Sequence, residues 1–132
     1  MSGSLQIGGS QPRPLVSFVI PTYNVAFPSL DDCIESLLHA GLQQSEREII
    51  VVDDGSRDIE SLRKMLATYG DSIVLAEHDH MGVSAARNTG MQIATGEYVE
   101  FVDADDQLDA SLFKTELLPL LRKHRPDVLT FR

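Results

Sequence analysis

The chain has 132 residues, with 11 Lys+Arg against 20 Asp+Glu and a formal net charge of −9. Its 42% hydrophobic and 23% charged residues fit one globular domain long enough to bury a real core, and argue against bulk disorder, collagen or a disulfide scaffold. The acidic balance argues against a generic nucleic-acid or anionic-membrane surface, both of which need a basic footprint, but leaves room for a phosphorylated ligand bridged by a cation.

Met1 to Pro14 (MSGSLQIGGSQPRP) is rich in Gly, Ser, Gln and Pro and reads as a flexible leader. No apolar run approaches the ~18 residues of a membrane span, and no basic segment followed by an apolar stretch marks a secretory signal. A cytoplasmic location is expected, peripheral to the membrane in a longer parent. The single cysteine, Cys33, falls on the apolar side of a helical pattern and reads as a small core residue.

From Leu15 the hydrophobic period alternates. Leu15 to Ile20 (LVSFVI) is a nearly continuous apolar run, as expected of a strand buried on both faces. Leu30, Cys33, Ile34, Leu37 and Leu38 then recur at helical spacing, with Gly41 as a stop. Glu48 to Val52 (EIIVV) is a second buried strand. Asp58 is placed to cap a helix carrying Ile59, Leu62, Met65 and Leu66, with Gly70 at its exit. Ile73 to Ala76 is a third strand, Val83 to Ala94 a third helix, and Tyr98 to Val102 a fourth strand. A helix over Ser111 to Lys123 contains Pro119, which would kink or split it, and Asp127 to Phe131 reads as a fifth strand. This βαβαβαβαβ order implies a mostly parallel, Rossmann-like α/β sheet with helices on both faces. Ligands in such sheets bind beyond the carboxyl ends of the strands. Ending on a strand, the fold looks cut short.

Three strand ends carry chemistry. Asp103, Asp105 and Asp106 in DADD crowd carboxylates that repel one another unless a cation or donors compensate, and oxygen donors suit Mg²⁺ or Mn²⁺. The plainer alternative is an acidic cap for a helix beginning near Leu108. In DDGS, Asp53 and Asp54 offer acceptors to a nucleobase N–H or a ribose hydroxyl, or else form an ordinary strand-to-helix turn with Ser56 or Asp58 as the cap. In PTYN, Tyr23 either stacks on a base or fills a loop. Arg87, in GVSAARNTG, is a fork of donors suited to phosphate, or to an ion pair with a strand-end Asp; Asn88 could order the neighbouring loops. His78 and His80 sit at i and i+2 with no further ligands at metal-site spacing, and read as solvated loop histidines. His39 and His124 read as surface residues in helices.

Taken together, VSFVIPTYN, EIIVVDDGSRD and GVSAARNTGMQIATGEYVEFVDADD resemble the N-terminal, nucleotide-sugar-binding part of a family 2 glycosyltransferase with the GT-A fold. The resemblance runs from about Pro14 to Arg132. It implies an inverting transfer from a nucleotide-diphosphate sugar, a UDP-sugar first, to a hydroxyl acceptor in a glycan or surface polysaccharide, with Mg²⁺ or Mn²⁺. By the resemblance, Pro21, Thr22 and Tyr23 would form the base-side wall. Asp54 would bond the nucleobase, with Asp53 as its substitute. Arg87 would approach the nucleotide or brace the acidic loop. Asp103-Ala104-Asp105 matches the DXD pattern, with Asp103 at the ribose or metal and Asp105 on the metal. The general base of this family would lie beyond residue 132, so the chain is expected to be the donor-binding half. His80-Met81 departs from the small polar residue usual before the glycine. A non-catalytic nucleotide-binding or assembly module is the alternative, and a phospho-acceptor receiver domain is disfavoured because a full βα unit precedes the DD pair. A homodimer through an exposed sheet edge or apolar face would not be surprising.

Overall fold

The computed structural model describes residues 13–124. The sequence-predicted strand over Asp127 to Phe131, and all of the leader before Arg13, lie outside them. Four strands form one parallel sheet: β1 (Val16–Thr22), β2 (Arg47–Asp53), β3 (Ile73–Glu77) and β4 (Tyr98–Phe101), in the order β3-β2-β1-β4. β1 is central, with Val19 facing Ile50 on one side and Phe101 on the other.

The apolar runs are continuous because both faces of the sheet are covered. Phe18 and Ile20 of β1 join Ile49 and Val51 of β2 on one face. There they meet Leu30, Cys33, Ile34 and Leu37 of α1 (Phe27–Leu38) and Leu62 and Leu66 of α2 (Ile59–Ala67). Val19, Ile50 and Val52 point the other way, toward Ala86 of α3 (Val83–Ile93). Each fully buried aliphatic side chain adds about 1.5–3 kcal/mol of transfer free energy, so these strands define the core.

The α3 face is thin, and Gly90 makes it so. A Cβ on Gly90 would lie 2.2 Å from Val19 Cγ1 and 3.0 Å from Cγ2. Gly90→Ala should therefore cost a net ~1–3 kcal/mol by overpacking, even after alanine's better helix propensity is counted. Urea denaturation measures it; an unchanged or raised midpoint would show that α3 lifts off the sheet freely.

Three local features sharpen the sequence expectation. α1 begins at Phe27, ahead of the first periodic leucine, because Pro28 sits in its first turn, where a fixed φ and a missing N–H cost nothing. The helix expected near Leu108 begins at Ala110, and its cap is Asp109, whose carboxylate accepts the Leu112 N–H at 3.0 Å. Pro119 lies in the last helix, and the chain just before it is wound as a π-helical turn. α4 (Ala110–Leu112) passes into Phe113–Leu117, where the Leu118 N–H reaches the Phe113 carbonyl, and then into α5 (Leu118–His124). A widened turn of this kind is a known accommodation where proline cannot donate to the helical ladder. Among the described residues no helix is long and apolar enough to cross a membrane.

Candidate functional site

The loops after β1, β2 and β4 meet at the carboxyl end of the sheet. The first two are tied together. Asn24 takes the left-handed conformation (φ 52°), donates its N–H to Ser56 Oγ at 2.8 Å and accepts the Arg57 N–H on Oδ1 at 2.9 Å. Asn is among the residues that tolerate this backbone best.

Asp53 is a structural carboxylate. It is buried, and its Oδ1 accepts the hydroxyls of Thr22 (3.1 Å) and Ser56 (2.6 Å). Its Oδ2 accepts the N–H groups of Gly55 (3.1 Å) and Ser56 (2.8 Å). Thr22 lines the groove described below, but its hydroxyl is turned inward onto Asp53.

Asp54, also buried, faces the other way. Oδ1 accepts the Met81 N–H at 2.8 Å and Oδ2 the Gly82 N–H at 3.0 Å, at the entry to α3. Two imidazoles complete the cluster: His78 Nδ1 is 3.3 Å from Oδ1, and His80 Nδ1 is 2.9 Å from Oδ2. Burial pushes the Asp54 pKa up, but the two backbone donors and then the histidines outweigh it, and the carboxyl titrates below its ordinary value. The Asp54 charge is thus built into the resting site.

These histidines are not simply solvated, as their sequence context suggests. The parallel register pairs Asp53 with Glu77, and the His78 N–H donates to the Asp53 carbonyl at 3.1 Å, so the segment after β3 runs alongside Asp54. The His80 ring stacks on Tyr23 with centroids 4.2 Å apart and planes at 28°. Gly55 permits this approach: its φ is +86°, and a Cβ there would meet the His80 nitrogen at 2.7 Å.

Two grooves share Pro21 and Tyr23. One, of about 200 Å³, adds Thr22, Asp54, His80 and Val83. The other, of about 510 Å³, adds Ser29, Asp103, Ala104 and Asp105. Tyr23 is 48% exposed between them, with His80 stacked on its ring. The sequence candidates Pro21, Thr22, Tyr23, Asp54, Asp103, Ala104 and Asp105 therefore surround one continuous surface. A third groove, of about 430 Å³, brings Arg87 to Asp103 and Asp106.

The acidic loop is compact. Asp103, Asp105 and Asp106 are exposed, and each brings one carboxylate oxygen within 4.8 Å of the others. The Asp106 N–H closes the turn on the Asp103 carbonyl at 3.0 Å. An all-oxygen, solvent-facing donor set of this kind fits a hard divalent cation that keeps waters and takes substrate oxygens. Asp109, not this cluster, caps the following helix, so the capping alternative does not account for it. The crowded carboxylates of the sequence include Asp106, which the DXD pattern passes over.

Arg87 Nη2 stands 3.7 Å from Asp103 Oδ1 and its guanidinium lies 6.0 Å from the Phe101 ring centroid. A half-exposed pair at that separation is worth little to stability. Its Nε is enclosed and finds no partner among the described residues. Asn88 is exposed on α3. Beneath the acidic loop, burial and then the charges of Asp106, Asp103 and Asp105 push the Cys33 thiol up to about 12, leaving an unreactive core residue.

The family model for glycosyl transferase family 2 matches residues 17–132. Over 102 residues the chain is 40% identical to the uncharacterised glycosyltransferase EpsJ of Bacillus subtilis (strain 168), covering 76% of this chain and 29% of that protein. S. aureus TarS 1–349 in complex with UDP superposes with a TM-score of 0.70 at 25% identity, covering 84% of this chain and 33% of TarS 1–349. The mannosyltransferase PcManGT of Pyrobaculum calidifontis, in complex with GDP-Man and Mn²⁺, superposes with a TM-score of 0.71 at 29% identity, covering 86% and 34%. The chain thus spans about a third of each of these proteins. Its parallel sheet is that of the GT-A glycosyltransferases. With the match running through all three strand-end loops, this chain belongs to glycosyltransferase family 2.

Proposed function

We propose that the chain is the nucleotide-sugar-binding portion of an inverting glycosyltransferase that transfers a sugar to a hydroxyl acceptor in a glycan or surface polysaccharide. The observation that carries this reading is the single groove in which the exposed Tyr23 ring stands opposite Asp103 and Asp105. A groove lined by both an aromatic platform and paired carboxylates suits a base and a cation-bound diphosphate. The UDP complex of TarS and the GDP-Man and Mn²⁺ complex of PcManGT support it.

In this reading Tyr23 carries the base on its π-face and Asp54 accepts a base N–H. Asp103 and Asp105 hold Mg²⁺ or Mn²⁺, with Asp106 within reach. The cation supplies charge neutralisation for the diphosphate and its leaving oxygen. Arg87, next to Asp103, braces the acidic loop or meets phosphate. The proton of the acceptor hydroxyl needs a base. No residue of this chain is proposed for that role.

Calorimetric titration of UDP, GDP and dTDP, each with Mn²⁺ and with EDTA, tests the reading. Metal-dependent binding of one nucleotide is expected, with UDP favoured; a folded protein that binds none of them would refute it. Tyr23→Ala should weaken nucleotide binding roughly 5- to 150-fold whether or not metal is present, the range for one base–aromatic stack. Unchanged affinity would reduce Tyr23 to a loop filler.

A further inference from the structure

We infer that His80 is an internal occupant of the base subsite, which a nucleotide must displace in order to bind. This inference rests on the nucleotide-sugar reading of the groove. The two contacts expected of a bound base are a stack on Tyr23 and a donated hydrogen bond to Asp54. In the empty protein His80 makes the first and stands in the place of the second, with Nδ1 hydrogen-bonded to the Asp54 main-chain carbonyl at 3.1 Å. Its ring lies 4.2 Å from the Tyr23 centroid at 28°, and its Nδ1 lies 2.9 Å from Asp54 Oδ2.

Asp54 is crowded on both oxygens. A carboxylate offers about four lone-pair sites. Two accept the Met81 and Gly82 N–H groups, while His78 Nδ1 and His80 Nδ1 stand 3.3 and 2.9 Å from the carboxylate and hydrogen-bond to the Asp79 and Asp54 carbonyls. A base stacked on the face of Tyr23 that His80 covers must take the place of one of these neighbours. The two N–H groups belong to the backbone of Met81 and of Gly82, the cap residue of α3, and cannot leave without moving the main chain. The His78 side chain is only 17% exposed and its Nδ1 also faces the Asp79 carbonyl at 2.8 Å. The His80 side chain is 57% exposed and can rotate into water, where its imidazole is well solvated. That rotation frees the Tyr23 face and Asp54 Oδ2 in one movement. It also empties the part of the 200 Å³ groove that His80 borders, between Pro21 and Val83.

The ring therefore keeps Asp54 satisfied and Tyr23 covered when no ligand is present, and lowers apparent affinity in return. If roughly nine molecules in ten are closed, apparent affinity falls about tenfold, because only the open fraction binds. His80→Ala should then bind UDP or GDP with Mn²⁺ about tenfold more tightly than the unmodified chain. Inorganic pyrophosphate with Mn²⁺ probes the phosphate end alone, and its affinity should not change. His80→Asn keeps a donor near Asp54 but cannot cover Tyr23, and should fall between the two.

Calorimetry on the full chain with these three probes decides the matter. Tighter nucleotide binding by His80→Ala, confined to the nucleotides, supports displacement. Nucleotide binding that is unchanged or weaker in both variants overturns it and makes His80 a fixed wall beside the base, with the nucleotide reading intact. A gain shared equally by pyrophosphate also overturns it, because the effect would then not lie at the base. Absence of nucleotide binding in every protein would overturn the nucleotide reading and the displacement together.

Discussion

Asp105→Ala is expected to abolish Mn²⁺-dependent nucleotide binding while leaving the protein folded. Its carboxylate is exposed, lies within 4.8 Å of those of Asp103 and Asp106, and borders the groove that holds Tyr23. The turn does not depend on its side chain, since the Asp106 N–H closes on the Asp103 carbonyl. Loss of an outer partner of a metal site typically costs 10–100-fold in affinity, so loss of a direct ligand should exceed about 100-fold. The thermal midpoint should hold or rise slightly, because one of three crowded like charges has gone. Titrating UDP and GDP against Mn²⁺, with a melt of the same sample, measures both effects. Undiminished Mn²⁺-dependent affinity would remove Asp105 from the site.

Asp53→Ala should do the reverse, harming the fold first and binding only through it. The buried Asp53 carboxylate receives the Thr22 and Ser56 hydroxyls and the Gly55 and Ser56 N–H groups. Alanine would strand these donors in the interior, and hydrogen bonds to a charged group contribute about 1.5–3 kcal/mol each, with incomplete additivity. A loss of roughly 3–5 kcal/mol follows, lowering the thermal midpoint on the order of 10–20 °C. Asp53→Asn should rescue part of this, because its Oδ1 can still accept the Gly55 and Ser56 N–H groups while the Thr22 and Ser56 hydroxyls accept from its NH₂. Thermal melts of both variants test this. A midpoint within 3 °C of the parent, a margin set at about 1 kcal/mol, would mean that the β1–β2 loop pair is held by other contacts.

The two adjacent aspartates show what sequence can and cannot convey. DDGS marks a strand end with carboxylates, and LVSFVI, EIIVV and YVEFV mark the strands, because a strand covered on both faces must be apolar along its whole length. The parallel α/β fold was legible for that reason. Which aspartate points inward was not legible, because it depends on the Thr22 and Ser56 hydroxyls arriving from elsewhere in the chain. The role of His78 and His80 was hidden in the same way. Their i, i+2 spacing says nothing of Asp54 until the register sets Glu77 beside Asp53. Asp106 lay inside the quoted acidic motif, yet a pattern that names alternate residues passes over it; only the fold of the turn brings its oxygen near the others. Helix starts were legible where a capping carboxylate precedes the apolar period, as Asp58 does; before the last helix several aspartates compete, and only the structure singles out Asp109.

The placement of β1 has a consequence for the order of assembly. Val16 pairs with Arg47 on one side and Tyr98 on the other. The second pairing closes a far longer loop, at an extra entropic cost of ~0.9 kcal/mol by logarithmic scaling. β1, β2 and β3, which bring Tyr23, Asp54 and His80 together, can therefore associate before β4 joins. The acidic loop follows β4 in the chain and enters last. In a chain emerging from the ribosome, the base platform would take shape while the cation site was still unmade, so the ion cannot serve as a template for the platform.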